Sequence, residues 1–131
     1  FNTALIVGAG YGLSASLARM LAKAGLKIAL AARSPDDLAA FAGETGAKVF
    51  KSDASKAEQV ERLFADVEAA LGAPDVAIYN ASFRTRGALV DLLPAEVEKA
   101  IAVSAFGAFL VAQQAAKRML PNRHGAIFFT G

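Results

Sequence analysis

Two hydrophobic rhythms take turns along this chain. Five short runs, at residues 4–7, 28–31, 47–50, 76–79 and 126–129, are mostly uninterrupted apolar stretches. Runs of that kind, without polar alternation, mark strands covered on both faces. The segments between them repeat apolar residues at helical spacing. In the first helix Leu13, Leu17, Met20, Leu21 and Ala24 share one predicted face, and Gly25 is placed to end it. Ser34 and Pro35 predict the start of a second, as cap and first helical residue. Ser55-Lys56-Ala57-Glu58 has the capping-box pattern and opens a third, whose apolar face is Val60, Leu63, Phe64, Val67 and Leu71 before Gly72. A fourth helix is predicted from about Pro94 to Met119, stopped by Pro121. Strands alternating with helices imply parallel pairing through right-handed crossovers.

Composition narrows the class. With 131 residues there is room for one domain, and 55% hydrophobic against 20% charged residues describes a core-rich folded chain. The net charge of +2 is small and scattered, which argues against a nucleic-acid or membrane surface. No run has the length of a membrane span, and no signal peptide is visible. The absence of cysteine excludes disulfides and thiolate metal sites and suits a cytoplasmic setting. The single histidine, His124, lies beside a turn and predicts a solvated loop residue; no metal site is expected. The chain opens on Phe1 almost at its first strand and stops at Gly131 just after an apolar run, so both ends look cut.

The candidate chemistry begins at Gly8-Ala9-Gly10-Tyr11-Gly12-Leu13-Ser14, between the first strand and the first helix. A phosphate needs backbone N–H groups at close range and the positive end of a helix, and side chains would block that approach. This turn predicts a dinucleotide's pyrophosphate. Strict G-x-G-x-x-G spacing fails at Leu13. An FAD site would want an acidic residue at the end of the second strand, but that strand ends Ala31-Ala32-Arg33. The nearest acids, Asp36 and Asp37, fall in the next helix, so FAD is disfavoured.

The spacing Gly8-x-x-x-Gly12-x-Ser14 resembles the G-x-x-x-G-x-G turn of the short-chain dehydrogenase/reductase family, with Ser14 in place of the third glycine. Further features follow in order. Arg33 and Ser34 stand where members preferring NADP(H) place a basic residue. Asp53-Ala54 resembles the aspartate site that binds the adenine amino group. Tyr79-Asn80-Ala81-Ser82 resembles the family's N-N-A-G motif with its outer positions altered. The resemblance covers the whole chain. It implies a Rossmann-type α/β/α domain with a five-stranded parallel sheet in the order 3-2-1-4-5, here incomplete. It also implies NADP(H) in preference to NAD(H), held by Gly8, Gly10, Tyr11, Gly12, Leu13, Arg33, Ser34, Asp53, Ala54, Asn80, Ala81 and Val103. Each residue also has a plainer reading. Arg33 could be a solvated surface arginine, although a guanidinium fork matches a 2′-phosphate. Asp53 could cap the third helix, and Asn80 could bond backbone across neighbouring loops. Tyr11 either faces solvent or covers the phosphates. By pattern alone, Val103 with Phe106, Phe109 and Leu110 reads as core or subunit interface.

The chemistry implied is hydride transfer between a nicotinamide and a small carbonyl or alcohol substrate, in a protein expected to be a homo-oligomer. The family's acid/base tyrosine and its lysine come from a Y-x-x-x-K helix beyond the fifth strand, where this sequence stops. Tyr11 and Tyr79 have Ala15 and Phe83 four residues on, so neither forms that motif, and no catalytic residue is assigned. Thr130 is not a convincing substitute for the family's serine, and Ser104 takes the place of an asparagine that anchors a relay water in many members. With the fifth strand at the sheet edge, residues 127–129 lack charge or proline to blunt it, and self-association is expected. The sequence therefore reads as the cofactor-binding part of an NADP(H)-dependent oxidoreductase. A non-catalytic NADP(H)-binding or regulatory module, or a degenerate member kept for structure, are the alternatives.

Overall fold

A computed structural model describes residues 1–131, apart from the side chain of Asp37. The strands are β1 (Thr3–Val7), β2 (Lys27–Ala32), β3 (Lys48–Lys51), β4 (Val76–Tyr79) and β5 (Ala126–Phe129). All pair in parallel, in the order β3-β2-β1-β4-β5. The helices are α1 (Leu13–Lys23), α2 (Ala39–Thr45), α3 (Ala57–Leu71), α4 (Pro94–Ile101) and α5 (Gly107–Met119). The fold is the predicted Rossmann-type α/β architecture.

Alternation along the strands sorts the core into two faces. Leu5, Val7, Ala29 and Ala31 pack with Val60, Leu63, Phe64 and Val67 of α3 and with Val111 and Ala115 of α5. Ala4, Ile6, Ile28 and Leu30 pack with Ala15 and Ala18 of α1 and with Phe41 of α2. Central β1 is buried at every position, as a strand covered on both faces must be. At the sheet edge β5 is covered less well: Phe128 is 54% exposed and Phe129 57%. Among the described residues no helix is long and apolar enough to cross a membrane.

Helix boundaries depart from the sequence pattern in instructive ways. Small residues seat α1 on the sheet: Ser14, Ala15 and Ala18 are buried, while Leu13 and Met20 of the predicted face are more than half exposed. Close approach to the strands favours side chains that occupy little space there. Ser34 makes no side-chain cap, and Pro35–Leu38, which holds Asp36, forms a 3₁₀ turn before α2 begins; the side chain of Asp37 lies outside the described residues. The capping box at Ser55 does not form either. Lys56 is the N-cap of α3, and Ser55 turns its hydroxyl back to Asp53. The predicted fourth helix is interrupted by a π turn, Ala102–Phe106, between α4 and α5.

Candidate functional site

The carboxyl ends of the first four strands lie side by side, because the register sets Val7 against both Ala31 and Tyr79 and Ala32 against Lys51. The loops leaving those ends enclose a cleft of about 420 Å³. Of the residues expected to hold a cofactor, Gly8, Arg33, Ser34, Asp53, Ala54, Asn80, Ala81 and Val103 line it together. Gly10, Tyr11 and Gly12 are not among its lining, and Leu13 lines an adjoining recess of about 340 Å³ instead. Ser52 and Ser82 also line the cleft. Both are neighbours of predicted residues, and only the strand register shows that they share its wall.

The glycines of the first turn differ in what requires them. Gly8 has φ +86°, and a Cβ there would collide with the backbone of Ala81 and come within 2.7 Å of the Asn80 carbonyl carbon. Its N–H and that of Ala9 both donate to the Ala31 carbonyl, at 2.9 and 3.0 Å. Gly8 therefore lets the β1 turn lie against the β4 loop. Gly10 and Gly12 have no positive φ, and a Cβ on either would meet nothing within 4 Å. Ser14 is a fastener: its buried hydroxyl accepts from the Gly10 N–H at 2.8 Å and donates to the Gly10 carbonyl at 3.0 Å.

At the far wall, Asp53 both lines the cleft and closes a local turn. Its Oδ1 accepts from the Ser55 N–H at 2.9 Å and the Ser55 hydroxyl at 2.7 Å, and its own N–H donates to the Gln59 side chain. Burial pushes the Asp53 carboxyl up, but the two Ser55 bonds with the Arg33 and Lys56 charges outweigh it and hold the pKa below the ordinary 3.8. Arg33 is exposed on the rim, with no ion pair among the described residues.

The β4 end is tied to its surroundings from both sides. The Asn80 N–H donates to the Val7 carbonyl at 2.8 Å, while its Oδ1 accepts from the Thr130 hydroxyl. Asn80 thus bonds across loops with its backbone and also links the ends of β4 and β5 with its side chain. Buried Tyr79 donates its hydroxyl to the Val103 carbonyl in the π turn. Gly107, just past that turn, makes room for it, since a Cβ there would strike the phenol and approach the Ala54 carbonyl oxygen to 2.8 Å. Burial, with the Asp53 charge nearby, pushes the Tyr79 phenol up to about 12. Nothing in the sequence pattern distinguished this tyrosine from an altered motif position. Ser104, also in the π turn, accepts from the Phe83 N–H at 3.2 Å and donates to the Phe83 carbonyl at 3.1 Å. Among the described residues no cluster of potential metal ligands occurs.

A cleft at the carboxyl ends of a parallel sheet, beside a helix N-terminus, is where such folds take nucleotides. The short chain dehydrogenase family model matches residues 2–131. The 3-oxoacyl-[acyl-carrier-protein] reductase MabA of Mycobacterium tuberculosis is 29% identical over 130 residues, which are 99% of this chain and 50% of that protein. Elsinochrome reductase 1 of Elsinoe fawcettii is 32% identical over 124 residues, 90% of this chain and 46% of that one. Among solved structures, a short-chain type dehydrogenase/reductase from Mycobacterium marinum superposes with a TM-score of 0.92 at 32% identity, covering 99% of this chain and 54% of its own. An actinorhodin polyketide ketoreductase variant with NADPH gives a TM-score of 0.93 at 28% identity, covering 98% and 52%. The chain spans about half the length of the curated relatives it matches. With strand order, cleft and family match in agreement, the chain belongs to the short-chain dehydrogenase family.

Proposed function

We propose that this chain is the NADP(H)-binding part of an oxidoreductase acting on a carbonyl or alcohol carbon. The observation that carries the reading is the pair Gly10 and Gly12. Glycine costs roughly 0.5–1 kcal/mol of backbone entropy relative to alanine within regular structure, and at neither position is it called for by a positive φ or by crowding around a Cβ. What remains is open space over a backbone that leads into the N-terminus of α1. A pyrophosphate would use that space, with the N-terminal amides of α1 and the helix dipole facing it.

Arg33 and Ser34 favour NADP(H). They line the cleft at the end of β2, where an NAD(H) site would place a carboxylate for the 2′-hydroxyl. An arginine with no ion pair among the described residues offers the 2′-phosphate a bidentate contact instead. Asp53, kept ionised, presents an acceptor to the adenine amino group, and Val103 gives that end of the cleft an apolar wall. An NADPH-bound relative with the same fold supports the choice. When bound, the nicotinamide supplies or takes a hydride, the carbonyl oxygen gaining a proton as the alcohol forms and losing it in reverse. The residues here bind and orient the dinucleotide. Calorimetric titration of the chain with NADPH and NADH tests this. NADPH should bind at least about tenfold more tightly, and Arg33→Ala should bring the two together. An unchanged affinity ratio removes Arg33 as the selecting residue, and a folded chain that binds neither nucleotide refutes the reading.

A further inference from the structure

The adenine-side cleft and the recess next to it share Asn80, Ala81 and Ser82, so they form two lobes of one trough. If the adenosine half lies between Arg33 and Asp53, the reactive half lies past Asn80, in the lobe lined by Leu13, Ser104 and Thr130. Among the described residues, Arg84 is the only charged side chain lining that lobe. The loop that carries it is fastened on both sides. Ser104 grips both backbone groups of Phe83, and Lys99 sits 4.3 Å over the Phe83 ring. The Thr85 hydroxyl donates to Glu96 at 3.0 Å. Arg84 itself has no ion pair among the described residues, and no acidic residue lines the recess on the loop's other side.

Arg84 is exposed, and its guanidinium, without an ion pair among the described residues and carried on a fastened loop at the reactive end of the trough, is placed to take an anion. The cofactor is a poor candidate for that anion. Its phosphates are accounted for at Arg33 and the glycine turn, and its nicotinamide is cationic when oxidised. We infer that Arg84 recognises an oxyanion, a carboxylate or a phosphate, carried by the carbonyl or alcohol substrate near its reacting carbon. The inference rests on the NADP(H) reading of the same trough. An arginine fork bonds either oxyanion through two parallel N–H donors, which fixes orientation as well as affinity.

Ligand-observed NMR on the chain saturated with NADP+ tests it with matched pairs. Phenylpyruvate against benzyl methyl ketone probes a carboxylate, and dihydroxyacetone phosphate against dihydroxyacetone probes a phosphate. At least one anionic member should bind about tenfold or more tightly than its neutral partner, as a charged hydrogen-bond pair implies. The pair that discriminates identifies the oxyanion. Arg84→Gln should abolish the difference while NADPH affinity stays within about twofold, and Arg84→Lys should keep part of it. Equal binding within both pairs, or no binding of either, overturns the assignment. So does a loss of NADPH affinity in Arg84→Gln, which would place Arg84 on the cofactor. Failure of wild-type chain to bind NADPH refutes the cofactor reading as well, whereas NADPH binding without anion discrimination refutes Arg84 alone.

Discussion

Replacing Tyr79 by phenylalanine isolates one bond and one proton in the core beside the cleft. The ring keeps its packing, so the variant loses only the hydroxyl that Val103 accepts from. Val103 is half-buried at the cleft, and its carbonyl can take water in exchange. The cost at neutral pH is therefore about 1 kcal/mol, the net worth of a hydrogen bond, and not a full desolvation penalty. For 131 residues that lowers Tm by roughly 4 °C. Alkali reverses the comparison. The phenol titrates at 10.0 in an unfolded chain and at about 12 in the fold. A raised pKa contributes stability that is complete below pH 10 and lost as pH climbs to 12. The loss is roughly 3 kcal/mol in all and about half of that by pH 11. Tyr79→Phe has no such proton to lose. Urea denaturation should find wild type more stable at pH 8, the two proteins about equal near pH 11, and the variant ahead beyond it. Every other group is common to both proteins and cancels in the difference. A difference that stays constant from pH 8 to 11 would show that the phenol is not held protonated by burial.

Three further substitutions test the walls of the site. Gly107→Ala places a methyl group against the Tyr79 phenol and the Ala54 carbonyl oxygen, and overpacking of that kind costs about 1–3 kcal/mol, readable as a lower urea midpoint. Ser14→Ala removes both bonds to the Gly10 peptide, and stability should fall by about 1–2 kcal/mol, read as a lower urea midpoint at unchanged slope. Ser55→Ala removes one of the two bonds that lower the Asp53 pKa. Asp53 should then titrate at higher pH by carboxyl-carbon NMR. A depressed carboxylate contributes stability that is present above 3.8 and lost as pH falls through the folded value, so the acid-side loss should shrink in the variant.

The strands were legible to within a residue or two because most are continuous apolar runs, and for the central ones burial on both faces permits little else. The positions gathered at the cleft were legible for a topological reason: in a parallel sheet every strand delivers its exit loop to the same edge. Contacts specific to this chain were not. Tyr79 reads as an apolar strand residue until the π turn presents the Val103 carbonyl to it, and a π turn leaves no mark on hydrophobic periodicity. Ser55 fits a capping box by type and spacing, yet Asp53 two residues earlier competes for its hydroxyl and wins. Such competition between equally suited local partners is settled by geometry that residue type does not carry.

The glycine turn shows the same limit, and one substitution tried at two positions tests it. Gly8 and Gly12 look alike in the motif. Yet alanine at 8 must adopt φ +86° and drive its Cβ into the Ala81 backbone. The left-handed conformation costs about 1–2 kcal/mol and the collision at least as much, so Gly8→Ala should lose roughly 3 kcal/mol or more. Alanine at 12 has φ −86° and open space around its Cβ. There no collision follows, and the loss should be clearly smaller than at 8. Binding should separate from stability in the same experiment. If the space over Gly12 serves a pyrophosphate, its new methyl group stands where the phosphate approaches, and NADPH affinity should fall at least about tenfold in a fully folded protein. Gly12→Ala with undiminished NADPH affinity would mean that the open glycines do not serve phosphate, and the cleft would then have to hold its ligand in some other way.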